Sequence, residues 1–249
     1  MNILLVNDDG YMAEGIKTLE RVLSSYGHRI YMTAPSVEQS AKSHSMTINS
    51  HVFATEFDDG HFHLSGSPAD CIIYSLKSNL LPIKPDLIVS GINHGYNLSS
   101  DIIYSGTCAA ARQACLYGYK AIAISTNKNK DGEYDFESPA KFLAENLESF
   151  ASRLDSSAFL NINVPPVFNG EFELSSIGLI DYDDQFSLEK MEDGRIRISN
   201  IACVMTYEKL GNAAYPHDWE ICKSGRAAVS LVKILPEISE HHTGAFCEA

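Results

Sequence analysis

Asn2-Ile3-Leu4-Leu5-Val6-Asn7-Asp8-Asp9-Gly10 opens the chain, and this stretch decides its architecture. The unbroken apolar run from Ile3 to Val6 reads as a strand covered on both faces. It stops at two carboxylates and a glycine. Met12 to Tyr26 follows, with Ile16, Leu19, Val22, Leu23 and Tyr26 at helical spacing and Gly27 ending the pattern. A buried strand that ends in charge just before a helix is the first unit of an alternating α/β chain, and it places the charge at the rim of a sheet.

The alternation continues. His28 to Pro35 suits a strand through Ile30, Met32 and Ala34, and Ser36 to Thr47 is a polar, serine-rich loop. Asp58-Asp59-Gly60 marks a hairpin turn. Ser67-Pro68 leads a helix from Ala69 to Asn79. Pro85 to Ile92 is a second buried strand, ending at Asn93. Thr107 to Tyr117 is a small-residue helix closed by Gly118, and Lys120 to Ser125 is a strand. Ser138-Pro139 caps a long helix carrying Phe142, Leu143, Leu147, Phe150 and Leu154. Phe159 to Val164 is a strand halted by Pro165-Pro166. The pattern predicts a mostly parallel, doubly wound sheet over the first two thirds. Beyond Pro166, Leu174 to Ile198 alternates like antiparallel hairpins with Asp193-Gly194 as a turn. The tail from Tyr207 is ambiguous and closes on a strand, Ala228 to Ile234. No repeat or low-complexity linker divides the chain. The expectation is one domain, a core over 1–165 with a β-hairpin-rich extension over 166–249.

Composition narrows the partners. The 249 residues carry 19 Lys and Arg against 32 Asp and Glu, a net charge of −13. That balance argues against a nucleic-acid polymer, whose backbone needs a basic footprint. A small phosphorylated ligand remains compatible, because one bound metal ion reverses the local field. Cys71, Cys108, Cys115, Cys203, Cys222 and Cys247 form no C-x-x-C pair. With no signal-like opening and no apolar run near the ~20 residues of a membrane helix, reduced thiols, a cytoplasmic location and no membrane contact are expected.

In open parallel sheets, ligands bind beyond the carboxyl ends of the strands. Asp8 and Asp9 follow the first strand, Ser40 lies in the loop after the second, and Asn93 follows the Pro85 strand. Together they make an all-oxygen set suited to Mg²⁺, Mn²⁺ or Ca²⁺. The competing reading is that Asp8 caps the first helix and Asp9 is a solvated turn residue. Ser105-Gly106-Thr107 enters the next helix with free N–H groups, two hydroxyls and a glycine. It is either an anion cradle or an ordinary helix cap. A cradle beside a metal site is what phosphate ester hydrolysis requires. Ser65 to Cys71 reads as a turn into a helix. His44 and His94 sit in the candidate loops as surface or packing residues, and His241-His242 is solvated. No G-x-G-x-x-G, Walker A or G-x-S-x-G motif is present, which argues against dinucleotide, P-loop and esterase chemistry.

The motifs resemble the survival protein E (SurE) nucleotidases. The matching pieces are Asn7-Asp8-Asp9-Gly10, Ala34-Pro35 with Gln39-Ser40-Ala41, Gly66 to Cys71, and above all PDLIVSGINHGYNLSSDIIYSGT from Pro85 to Thr107; Leu160 to Pro165 also matches. The resemblance covers most of residues 1 to 165. It implies a Rossmann-like core and a metal-dependent phosphatase for nucleoside 5'- or 3'-monophosphates, extending in some members to short polyphosphate. It implies one divalent ion per subunit on Asp8, Asp9, Ser40 and Asn93. Catalysis then falls to Asp8, Asp9 and Asn93, and phosphate binding to Asn97, Ser105, Gly106 and Thr107. It also implies a homodimer or homotetramer built through the C-terminal part. Asp218-Trp219 and Gly225 to Leu231 resemble a family segment only loosely. The rival readings are a signalling domain that holds Mg²⁺ with an acidic pair, and a phosphate-binding protein without turnover. The attacking group is either Asp8 or water, and water is favoured because a metal makes hydroxide accessible near neutral pH.

Overall fold

Ile3, Leu4, Leu5 and Val6 have no exposed surface, as a strand covered on both faces must. They form β1 (Asn2–Val6), an interior strand of the sheet. Chain order continues with α1 (Glu14–Ser25), β2 (Arg29–Pro35), β3 (Ala54–Asp58), β4 (His61–Leu64), α2 (Pro68–Lys77) and β5 (Leu87–His94). A short 3₁₀ turn (Ser99–Ile103) precedes α3 (Gly106–Leu116), β6 (Ala121–Thr126), α4 (Glu137–Arg153) and β7 (Ala158–Val164). The last elements are β8 (Phe172–Leu174), β9 (Leu179–Lys190), β10 (Ile196–Glu208), α5 (Asp218–Lys223) and β11 (Ala227–Lys233). This computed structural model describes residues 1–211 and 213–236. His241, His242 and Cys247 lie outside them.

Nine strands form one sheet in the order β3-β4-β2-β1-β5-β6-β7-β11-β8. The run from β4 to β7 is parallel throughout. β3 and β11 join antiparallel to β4 and β7. The fold is α/β and Rossmann-like, with helices on both faces. Alternation along β1 shows how the layers divide. Ile3 and Leu5 pack with Ile16, Leu19, Leu143 and Leu147 of α1 and α4. Leu4 and Val6 pack with Cys71, Ile72, Ala110 and Ala114 of α2 and α3. Each buried Leu, Ile or Val among them contributes ~1.5–3 kcal/mol by leaving water. Leu5→Ala would cost about 2–5 kcal/mol, because the cavity cannot close in a doubly covered layer.

Local caps follow sequence chemistry. Ser67 and Asp70 form a capping box with Pro68 at the first helical position of α2. The expected Ser138-Pro139 cap is displaced. Asp135 holds the start of α4, its carboxylate accepting the N–H groups of Glu137 and Ser138 at 2.8 and 3.2 Å. The C-terminal part holds an antiparallel hairpin, as expected. This hairpin is one long ribbon of β9 and β10 that turns at Met191 to Arg195, around the expected Asp193-Gly194. The ambiguous tail contains α5. β8 and β11 do not stay in the extension; they extend the main sheet. Cys71, Cys108, Cys115, Cys203 and Cys222 are free thiols. Among the described residues no helix is long and apolar enough to cross a membrane.

Candidate active site

Strand order creates the crevice. From β1 the chain moves to β2 on one side, and later to β5 on the other. The loops leaving β1 and β5 therefore diverge, and a ligand site opens between their carboxyl ends. Asp8 and Asp9 leave β1 there, and Asn93 and His94 end β5. The turn is fixed by Asn7, whose Nδ2 donates to the Gly10 carbonyl at 2.8 Å while its Oδ1 accepts the Gly10 N–H at 3.2 Å. Gly10 takes φ +99°, where side chains other than hydrogen are strained. Along β5 the register against β6 shifts between Ser90 and Asn93, and such a bulge re-aims the side chains after it. The Ser40 loop is drawn in by the Gln39 N–H, which donates to the Asp8 carbonyl at 2.7 Å. Its far end is held by Asp70, which accepts both the N–H and hydroxyl of Thr47 at 2.9 and 2.7 Å.

These elements enclose a cleft of about 500 Å³ lined by Asp8, Ser40, Asn93, Asn97 and Ser105, among others. Asp8 does not cap α1, whose N-cap is Ala13 with no side-chain bond. It faces α3 instead. Thr107 Oγ1 donates to Asp8 Oδ1 at 2.5 Å, and the main-chain N–H groups of Thr107 and Gly106 at the helix start favour the charged carboxylate. Burial nevertheless holds this carboxyl above its ordinary range. Asp9 is pushed up to about 7, first by burial and then by Asp8 beside it. Its Oδ2 accepts the His94 N–H at 3.2 Å, and its Oδ1 stands 3.4 Å from His94 Nδ1. His94 is stacked with Tyr134 and near Phe136, and burial lowers its own pKa. The groups acting on the two carboxylates include no lysine or arginine. Adjacent buried acids without a cationic partner are costly, and a divalent cation relieves both the desolvation and the mutual repulsion. Ser40 and Asn93 complete an oxygen-only set. The amide nitrogen of Asn93 donates to the Gly95 carbonyl at 2.9 Å, which leaves its oxygen for the cleft. The residues present fit a hard divalent ion.

The four residues expected at the phosphate divide into two pairs. Asn97 and Ser105 line the cleft. Ser105 is also the N-cap of α3, its Oγ accepting the Cys108 N–H at 3.0 Å. Gly106 and Thr107 lie behind Asp8 and are buried. A Cβ on Gly106 would stand 2.8 Å from both Asp8 Cβ and Oδ2. The glycine therefore lets the carboxylate seat directly on the helix start, where the dipole favours negative charge.

Several residues here escaped the sequence reading. Asn161 and Asn163 of β7 are fully buried. Both donate through Nδ2 to the Asn97 carbonyl, at 2.7 and 3.1 Å, and Asn163 Oδ1 accepts the Asn97 N–H at 2.8 Å. Asn97 Nδ2 in turn donates to Ser125 Oγ at 2.8 Å. Polar residues at alternate positions of a doubly covered strand were the available signal, since such groups persist inside only when bonded. Asp101, Tyr104, Tyr182 and Asp184 also line the cleft, and nothing local in the sequence announces them. His44 bonds Gln113 Oε1 at 2.8 Å and packs away from the chemistry.

The family model described as Survival protein SurE matches residues 3–183. A 5'-nucleotidase SurE of Desulfitobacterium hafniense (strain DSM 10664 / DCB-2) is 37% identical over 201 residues, covering 78% of each chain. A 5'-nucleotidase SurE of Synechococcus sp. (strain CC9311) is 34% identical over 251 residues, covering 96% of this chain and 93% of that one. The crystal structure of the SurE protein from Aquifex aeolicus superposes with a TM-score of 0.81 at 26% identity, covering 99% of this chain and 98% of that one.

Proposed function

The chain belongs to the survival protein SurE family and is a phosphate-releasing 5'-nucleotidase, and we propose that it works on nucleoside monophosphates with a divalent cation held by Asp8, Asp9, Ser40 and Asn93. One observation carries the reading: Asp8 lines the cleft with Asp9 directly beside it, both carboxyls are held above their ordinary range, and no lysine or arginine acts on either. A bound Mg²⁺ or Mn²⁺ would polarise the phosphoryl oxygen and make hydroxide accessible near neutral pH.

The chain's own residues divide the remaining work. Asn97 and Ser105, which line the cleft, would receive phosphate oxygens. The N-terminus of α3 lies beneath them and favours negative charge. Gly106 and Thr107 support the same end through Asp8. Asp8 Oδ1 is occupied by the Thr107 hydroxyl, which leaves fewer of its lone pairs free to attack. This favours water over Asp8 as the attacking group. The catalytic set is Asp8, Asp9 and Asn93. Short polyphosphate presents the same terminal phosphoryl group and is a further candidate substrate. A nucleic-acid diester lacks that terminal group and meets the −13 net charge.

The test is phosphate release from adenosine 5'-monophosphate with Mn²⁺ or Mg²⁺, with a chelator, and after metal is restored. Activity that appears, stops and returns in that order supports the reading. Chelator-resistant hydrolysis, or full turnover in a folded Asp9→Asn protein, refutes it.

A further inference from the structure

The cleft continues past its phosphate end to a wall built by two separate elements. The 3₁₀ turn and its exit supply Asp101 and Tyr104, and β9 supplies Tyr182 and Asp184. The two elements are fastened together. Tyr182 Oη donates to Asp101 Oδ1 at 2.5 Å, and the Ile180 N–H donates to Ser100 Oγ at 3.0 Å. Asp184 is steadied across the ribbon, its Oδ1 accepting Asn200 Nδ2 at 2.8 Å. Both rings keep accessible surface, 57% at Tyr104 and 37% at Tyr182, so each has a face free for a ligand.

Two carboxylates on this wall disfavour a second phosphate, because like charges repel most strongly where water is scarce. The same wall suits a neutral, flat group rich in hydroxyls. Phenol rings offer stacking surface that every nucleobase can use. Carboxylates accept sugar hydroxyls, as acidic residues do for ribose in dinucleotide sites. We infer that Asp101, Tyr104, Tyr182 and Asp184 form the nucleoside subsite of the cleft, with Tyr182 as its specificity-determining residue. The inference rests on the nucleotidase reading above. A polyphosphate chain leaving the phosphate end would run toward Asp101 and Asp184, so the wall also ranks nucleoside monophosphates ahead of tripolyphosphate.

The test compares the kcat/KM ratio for adenosine 5'-monophosphate over glycerol phosphate in the parent, Tyr182→Ala and Tyr104→Ala. Removing a stacking ring should lower that ratio on the order of tenfold or more, in the same direction for both variants. Equal losses on both substrates would mark the tyrosines as structural and overturn the proposal, and so would an unchanged ratio. A thermal melt shows that each variant is folded. A second readout needs neither metal nor turnover. Saturation-transfer NMR with adenosine, in the presence of chelator, should transfer magnetisation to the adenine protons in the parent and lose it in Tyr182→Ala. Absence of transfer in the parent overturns the subsite. Transfer in a parent that hydrolyses no phosphomonoester leaves the subsite standing and refutes the nucleotidase reading instead.

Discussion

Replacing Thr107 by valine keeps the volume of the side chain and deletes one hydrogen bond, the 2.5 Å contact from its Oγ1 to Asp8 Oδ1. The carboxylate is buried and cannot recruit water in exchange. Hydrogen bonds to charged groups contribute ~1.5–3 kcal/mol. The main-chain N–H groups at the start of α3 still favour the carboxylate, which puts the loss at the lower end of that range. With about 1.4 kcal/mol per factor of ten, Thr107→Val should weaken Mn²⁺ binding roughly tenfold. Removing partners that orient metal ligands typically has an effect of about this size. Calorimetric titration of the purified protein with Mn²⁺ reads the affinity directly, and phosphate release at saturating Mn²⁺ reads what remains. Thr107→Ser retains the hydroxyl and should bind within about threefold of the parent, inside the spread of single-contact energies. Parent-like affinity in Thr107→Val would refute the idea that Thr107 orients Asp8. A serine variant as weak as the valine one would show that the methyl group, and not the hydroxyl, matters.

Gly106→Ala places a carbon 2.8 Å from Asp8 Cβ and Oδ2, and should lower both Mn²⁺ affinity and the melting temperature, overpacking a buried site costing about 1–3 kcal/mol; equal Mn²⁺ affinity in parent and variant would contradict the packing argument. Asn163→Ala strips the Asn97 N–H of its acceptor and the Asn97 carbonyl of one donor, so urea unfolding should show a loss of about 1–3 kcal/mol, and inorganic phosphate should inhibit more weakly. His61 on β4 bonds Glu20 of α1 at 2.9 Å, and chiefly this bond raises its pKa above the ordinary value. A raised histidine stabilises fully below its unfolded pKa and loses that contribution as pH climbs through the folded one. The parent should therefore lose more stability than Glu20→Gln between pH 6 and pH 8, about the ordinary histidine range; identical pH profiles would remove the pair from the account.

The core sheet was legible because its strands are apolar runs closed by strong stop signals. Ile3 to Val6 and Leu87 to Ile92 could hardly be anything but doubly covered strands. The proposed metal set rests on a related feature: carboxylates and an amide at the ends of such strands have one rim to share. The roles of Gly106 and Thr107 were harder to see. A Ser-Gly-Thr entry to a helix looks the same whether its donors meet a ligand or a carboxylate from another strand, and only the approach of β1 to α3 decides. Asn161 and Asn163 lay in plain view, but their partner is a main-chain carbonyl 64 and 66 residues away. The antiparallel pairing of β9 and β10 and its turn at Asp193-Gly194 were legible, but both faces of the ribbon are exposed, so no buried stripe marks its length. Tyr182 reaches the cleft through a contact with Asp101, 81 residues earlier, which no local pattern encodes.

The ribbon and β1 also differ in how they come apart. β1 has strands on both sides and helices over both faces, so its amides exchange only when the whole molecule opens. The ribbon has little packing beneath it, and Lys190, Arg195 and Arg197 sit at or near its tip. A trace of trypsin would cut there first and loosen Tyr182 and Asp184 while Asp8 and Asp9 stayed in place. A stored preparation can therefore lose its choice of substrate long before it loses the capacity to release phosphate.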